Sequence, residues 1–146
     1  MSTQENVKLD EQFMATWNAH NADQAAELVS DSIVWRDVGV PEPLRGKEAV
    51  RQYNQGWFTA FPDLVATTKN RVVSEDQVAA EIEFTGTNTG MLQISPGMPA
   101  VPATGKKVNG KGTYFLRIRD GKIVEVHTYP DIAGMMMQLG LMPQMG

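Results

Sequence analysis

The apolar periodicity of this chain changes once, at Pro62. Before that proline, apolar side chains recur three and four residues apart; after it they alternate. A chain that places its helices first and its strands afterwards lays helices against one face of a mainly antiparallel sheet. The expected class is therefore α+β, with a curved sheet wrapped around helices. Helices on one face of such a sheet leave an apolar hollow between the two layers.

The elements follow from the same pattern. Ser2-Thr3-Gln4-Glu5 reads as a capping box opening a helix with Phe13, Met14 and Trp17 on one face. That helix should stop between residues 18 and 21, and Asn21 with Gln24 restarts a short one through Leu28 and Val29. Residues 33–35 read as a strand, and Pro41, Pro43 and Gly46 mark a loop. Ala49, Val50, Tyr53, Trp57 and Phe61 form the stripe of a third helix, which Pro62 ends. Strands are expected over residues 65–74, 78–85, 107–119 and 123–129, the last two joined by the turn Asp120-Gly121. A short helix over residues 132–139 closes at Gly140.

The 146 residues suit a single domain spanning residues 1–146. The absence of cysteine removes disulfide scaffolds, thiol catalysis and cysteine-based metal sites. With His20 and His127 the only histidines, no metal is expected either. A net charge of −4 argues against a nucleic-acid partner. The uncharged stretch from Phe84 to Gly105 holds three prolines and four glycines, so it reads as a loop and not as a membrane span. Met91, Leu92, Ile94 and Met98 should let it shape a cavity mouth. The N-terminus has no basic start and no apolar core of a signal peptide, so the expected location is cytoplasmic.

Candidate site residues come from type and position. Asp131 ends a strand in apolar surroundings, four residues after His127, and period two puts both on one strand face. A carboxylate in an apolar hollow holds its proton more tightly and can shuttle it near neutral pH. Asp131 is equally placed to be the N-cap of the last helix. Arg117 can pair with Glu125 or Asp131, or face solvent. Asn54 lies on or beside the stripe of the third helix, where an amide can bind a carbonyl or face water at the stripe edge. Trp35, Tyr53, Trp57 and Tyr114, with Met91 of the loop, can line the hollow, although aromatics more often serve the core. No nucleotide-binding or hydrolase motif occurs.

Thr85-Gly86-Thr87-Asn88-Thr89-Gly90, Pro102-Ala103-Thr104-Gly105-Lys106, Arg117 through Glu125, and Asp131 followed by Gln138-Leu139-Gly140-Leu141 together resemble the SnoaL-like polyketide cyclases, within the nuclear transport factor two-like superfamily. Gly46-Lys47-Glu48-Ala49, Phe61-Pro62-Asp63-Leu64 and Trp17-Asn18 fit as well, so the resemblance covers nearly the whole chain. It implies a cone-shaped α+β barrel with a deep pocket and aldol-type ring closure without cofactor. It also implies that the acid/base aspartate is Asp131. The chain departs from the family at Asn88 and His127, where relatives often carry His and Trp, so its substrate need not be a polyketide.

The expected function is that of a cofactor-independent cyclase acting on a small hydrophobic carbonyl compound. Asp131 would move the proton, with His127 assisting. Asn54, Arg117 and the aromatics would hold the substrate. The alternatives are a hydratase, dehydratase or epoxide-opening enzyme of the same fold, and a non-catalytic binder of apolar small molecules. A homodimer is expected through the open sheet face, with Phe115 or Tyr114 on it.

Overall fold

The structure is a computed structural model and describes residues 2–93, 97 and 99–142. Helix α1 (Thr3–Asn18) starts where the Ser2 hydroxyl accepts from the Glu5 amide at 3.1 Å. It buries Asn6, Leu9, Asp10, Phe13 and Met14 along one stripe. Helix α2 (Ala22–Glu27) follows at once, capped by Asn21. Strand β1 (Val29–Asp37) and the two-residue strand β2 (Leu44–Arg45) precede helix α3 (Lys47–Ala60). Strands β3 (Val65–Val73), β4 (Gln77–Thr87), β5 (Lys107–Arg119) and β6 (Lys122–Pro130) come next, followed by helix α4 (Ile132–Leu139).

The six strands form one sheet in the order β2-β1-β6-β5-β4-β3, open at both ends. All neighbouring pairs are antiparallel except β1 with β6, which run parallel. Three features differ from the sequence reading. The second helix ends at Glu27 and strand β1 already begins at Val29, β1 extends two residues past Trp35 to Asp37, and the expected loop at residues 41–46 contains β2. Strand β2 exists only because β1 offers it an edge, a non-local cause that leaves no local pattern.

Strand β5 shows how the cavity arises. Its inner face carries Val108, Gly110, Gly112, Tyr114, Leu116 and Ile118, and its outer face Asn109, Lys111, Phe115, Arg117 and Arg119. Two successive inward positions thus lack side chains. At Gly110 the Phe84 ring of the neighbouring strand lies across the gap, so close that a Cβ there would be 2.2 Å from Phe84 Cζ. At Gly112 the nearest neighbour is Pro130, 3.2 Å from where a Cβ would stand, and a hollow remains in front of the two.

The expectation that Met91 reaches the hollow is corrected. Met91 is exposed and lies with Gln93 against the outer face of α3, beside Gln52, Gln55 and Thr59, away from the hollow. Buried Asn88 anchors this arrangement: its amide donates to the Ala60 and Gly90 carbonyls, and its oxygen accepts from Thr104. Ile94 and Met98 lie outside the described residues.

Candidate functional site

Between α1, α3 and the inner sheet face lies a cavity of about 90 Å³. Phe13, Met14 and Trp17 of α1 and Tyr53 and Trp57 of α3 line it on the helical side. The sheet contributes Trp35, Ala66, Ile82, Phe84 and Tyr114, with Thr128 and Pro130 from β6. Ring contacts tie this wall together: Trp35 to Tyr53 at 4.9 Å, and Phe13 to Trp35 at 5.9 Å and to Tyr114 at 6.3 Å.

One side of this apolar wall hides a polar cluster. Ile33, Trp35 and Asp37 share the inward face of β1, so the alternation that buries two apolar side chains buries a carboxylate next. Asp37 Oδ2 accepts from the Tyr53 hydroxyl and, at 3.0 Å, from the Thr128 hydroxyl. Its Oδ1 accepts from the Gly39 amide at 2.7 Å. The Trp35 indole N–H donates to Thr128 Oγ1 at 3.3 Å. A Cβ at Gly39 would be 2.4 Å from Ile132 Cδ1, so the Ile132 side chain would have to turn aside to admit one. Burial pushes the Tyr53 phenol well above its ordinary pKa, and the Asp37 charge adds to this. Tyr53 therefore keeps its proton, and every donor to Asp37 is neutral.

A second buried aspartate sits across the cavity and differs in kind. Asp10 is fully buried and accepts from the Tyr114 hydroxyl, and Arg71 Nε donates to it at 2.6 Å. Burial, followed by the Asp10 charge, raises the Tyr114 pKa. A fixed guanidinium balances Asp10. Asp37 is held by hydroxyl and amide donors instead.

The expected site residues divide accordingly. Trp35, Tyr53, Trp57 and Tyr114 reach the cavity. Asp131 and His127 do share a strand parity, but it is the outer one. The inward residues of β6 are Val126, Thr128 and Pro130, one register step away. His127 Nε2–H donates to Glu125 at 2.6 Å, and Arg117 lies 3.6 Å from the same carboxylate on that outer face. The His127 hydrogen bond is the main reason the Glu125 pKa is lowered. Asp131 is exposed and caps α4, accepting from the Gly134 amide at 2.9 Å. The surroundings expected of it, an apolar hollow, are therefore corrected to a solvated helix start.

Gln138 and Gly140 of the terminal motif also have structural tasks. The Gln138 amide pairs with both backbone groups of Asn109 where β6 has ended, and Gly140 closes α4 at φ 75°.

Asn54 is completely buried on α3 but lies outside the cavity lining, and neither of its amide atoms has a partner. An unpaired buried polar group costs about 1–3 kcal/mol. Asn54→Leu, close in volume, should therefore stabilise the ligand-free protein by roughly 1–2 kcal/mol in urea melts. If the amide receives a ligand oxygen, the same variant weakens ligand binding.

Sequence reasoning missed Asp37, Thr128 and Asp10. The signal was present for each: Asp37 and Thr128 by alternation from Trp35 and Val126, and Asp10 at three and four residues before Phe13 and Met14. Among the described residues no three His, Asp or Glu side chains gather into a metal-binding group. No helix of the described chain is long and apolar enough to cross a membrane.

Comparison with known proteins places this geometry in a family. AclR from Streptomyces galilaeus, a candidate hydroxylase, superposes with a TM-score of 0.82 at 27% identity, covering 99% of this chain and 87% of its own. IdmH from Streptomyces antibioticus, a candidate polyketide cyclase, gives 0.71 at 26% identity, covering 92% and 97%. A candidate SnoaL-like polyketide cyclase from Jannaschia sp. CCS1 gives 0.83 at 19% identity, covering 97% and 95%, a likeness of fold alone. No curated protein sequence matches the chain. The named activities differ among these relatives, so the reaction has to be argued from the site. The model of the SnoaL-like polyketide cyclase family matches residues 7–139, and the chain with its open α+β cone and buried apolar cavity belongs to that family.

Proposed function

We propose that this chain is a cofactor-independent enzyme that moves a proton on a small hydrophobic carbonyl compound, with Asp37 as the proton store. The observation that carries this reading is a buried carboxylate with only neutral donors, set behind Tyr53 and Thr128 in the wall of an apolar cavity. Tyr53 is the relay. A proton leaving the carbon beside the carbonyl passes to the Tyr53 oxygen while the phenol proton passes to Asp37. The reverse transfer delivers a proton to the product oxygen, so the site ends as it began. Thr128, held by the Trp35 indole, supplies the second hydrogen bond that fixes the carboxylate. Holding the donor and acceptor carbons together in an apolar cavity supplies the proximity term of a ring closure.

The test uses cyclohexanone in D₂O, whose α-hydrogens exchange slowly at neutral pH unless a base is positioned on them. Wild-type protein should accelerate deuterium uptake, followed by NMR, and Asp37→Asn should abolish the acceleration. Binding without any protein-dependent exchange would overturn the catalytic reading and leave the second one, a binder of apolar small molecules. The almost wholly apolar lining, with Asp37 shielded from the cavity, is what favours that second reading.

A homodimer through the outer sheet face belongs to the same proposal. Phe115 and Tyr129 are each about half exposed there, with ring centroids 6.1 Å apart, while Tyr114 points inward. An aromatic pair left wet is a natural contact for a second copy. Sedimentation should give twice the chain mass, and Phe115→Arg should give the monomer; a wild-type monomer at micromolar concentration sinks the dimer.

A further inference from the structure

We infer that Phe84 is the residue that sets ligand size, restricting the cavity to compact carbonyl compounds of about one ring. The inference rests on the cavity being a ligand site and deepens that reading by naming its substrate class. The hollow measures about 90 Å³, less than the roughly 150 Å³ of an engineered apolar void that holds one benzene, so even a single ring has no room to spare. A fused-ring ligand therefore cannot enter unless part of the wall moves.

The wall shows where the missing space has gone. Along the β4–β5 ladder, Ile82 stands opposite Gly112 and Phe84 opposite Gly110. Neither glycine contributes a side chain, so on this ladder only the β4 residue projects inward at each rung, with Pro130 of β6 flanking Gly112. At the first rung the hollow stays open. At the second, the Phe84 ring lies directly on the Gly110 backbone and occupies the place a β5 side chain would take. Phe84 is half-buried and borders the cavity, so it stands at the margin between hollow and solvent. Remove the ring and two consecutive rungs have no side chain on β5 and only a methyl at position 84 on β4. The cavity then runs on along the sheet.

Hydrophobicity alone predicts the opposite ranking. Each additional buried methylene favours the larger ligand by about 0.8 kcal/mol, so an unrestricted apolar cavity binds 2-tetralone more tightly than cyclohexanone. A preference for cyclohexanone can come only from exclusion by size. All three tryptophans of the chain, Trp17, Trp35 and Trp57, line the cavity, so intrinsic fluorescence reads its occupancy directly.

The experiment titrates both ketones into wild-type protein, Phe84→Ala and Phe84→Leu, with circular dichroism as the check on folding. The wild type should favour cyclohexanone, and Phe84→Ala should shift the ratio toward 2-tetralone by roughly tenfold or more, within the range that one filled or emptied pocket position commands. Phe84→Leu should shift it less and serves as the measure if the alanine variant does not fold. Equal or tighter binding of 2-tetralone by the wild type overturns the inference. So does an unchanged ratio in a folded Phe84 variant, or the absence of binding by either ketone. Deuterium exchange is a separate readout: a size filter with no exchange leaves the inference standing and removes the catalysis, and exchange with no size filter does the reverse.

Discussion

Asp37→Asn should lower turnover of a true substrate by roughly 10²–10⁴-fold, the usual worth of a general acid–base group. Tyr53→Phe should cost a similar factor, because the proposed relay passes through the phenol and Asp37 lies behind it. The two losses should not multiply in the double variant, since both break one proton path. Neither change is structurally silent. Asparagine at 37 offers an N–H₂ where the carboxylate accepted two hydroxyl hydrogen bonds, so the hydroxyls must turn, at a cost of about 1–3 kcal/mol. Turnover is therefore read per folded molecule, below the melting transition. Asp131→Asn is the control. Asparagine caps a helix about as well as aspartate, and the side chain is exposed at the start of α4, so stability and turnover should both stay near wild type. Loss of turnover in Asp131→Asn with Asp37→Asn fully active would reverse the assignment.

That reversal would also restore the reading that the family resemblance implies. The contrast shows what was legible in this sequence. The period change at Pro62 carries the α+β class because helical and extended periodicities are local properties, and the structure keeps α1, α3 and strands β3 to β6 where the patterns place them. The parallel pairing of β1 with β6 joins residues about ninety positions apart, such as Trp35 with Val126, and no local pattern announces it. The aromatic wall was readable because Tyr53 and Trp57 lie one helical turn apart on an apolar stripe. The polar cluster was not, because of a strand end two residues further on and a face one register step away. The strand ending at Trp35 in the sequence reading continues to Asp37, and the face assigned to His127 and Asp131 is the outer one. A strand has two faces, and sequence spacing fixes which residues share a face without saying which face is wet. Here the neutral-looking Thr128 is the inward residue, and the charged and aromatic ones around it, Glu125, His127 and Tyr129, face out.

Raising the pH past 10 should destabilise this protein steeply, and the two cavity tyrosines should account for the difference from an ordinary domain. Tyr53 and Tyr114 are both buried beside carboxylates, and both have their pKa raised, in each case first by burial and then by the neighbouring aspartate charge. In the unfolded chain a phenol ionises near pH 10. Above that pH the unfolded state releases protons that the native state retains, so it binds fewer protons and the stability falls as pH rises. The contribution is complete below pH 10 and is lost upward from there, at roughly 1.4 kcal/mol per pH unit for each tyrosine, or about 3 kcal/mol per unit for the pair. Urea melts between pH 9 and 11 measure it. Tyr53→Phe and Tyr114→Phe each remove one ionising group from the unfolded state, so each should take away about half of the excess slope, although both lose a hydrogen bond and start less stable. The double variant should lose the excess slope altogether. A wild-type slope that survives in the double variant would mean that the phenols ionise inside the fold, and a Tyr53 that gives up its proton so readily could not serve as the neutral relay in front of Asp37.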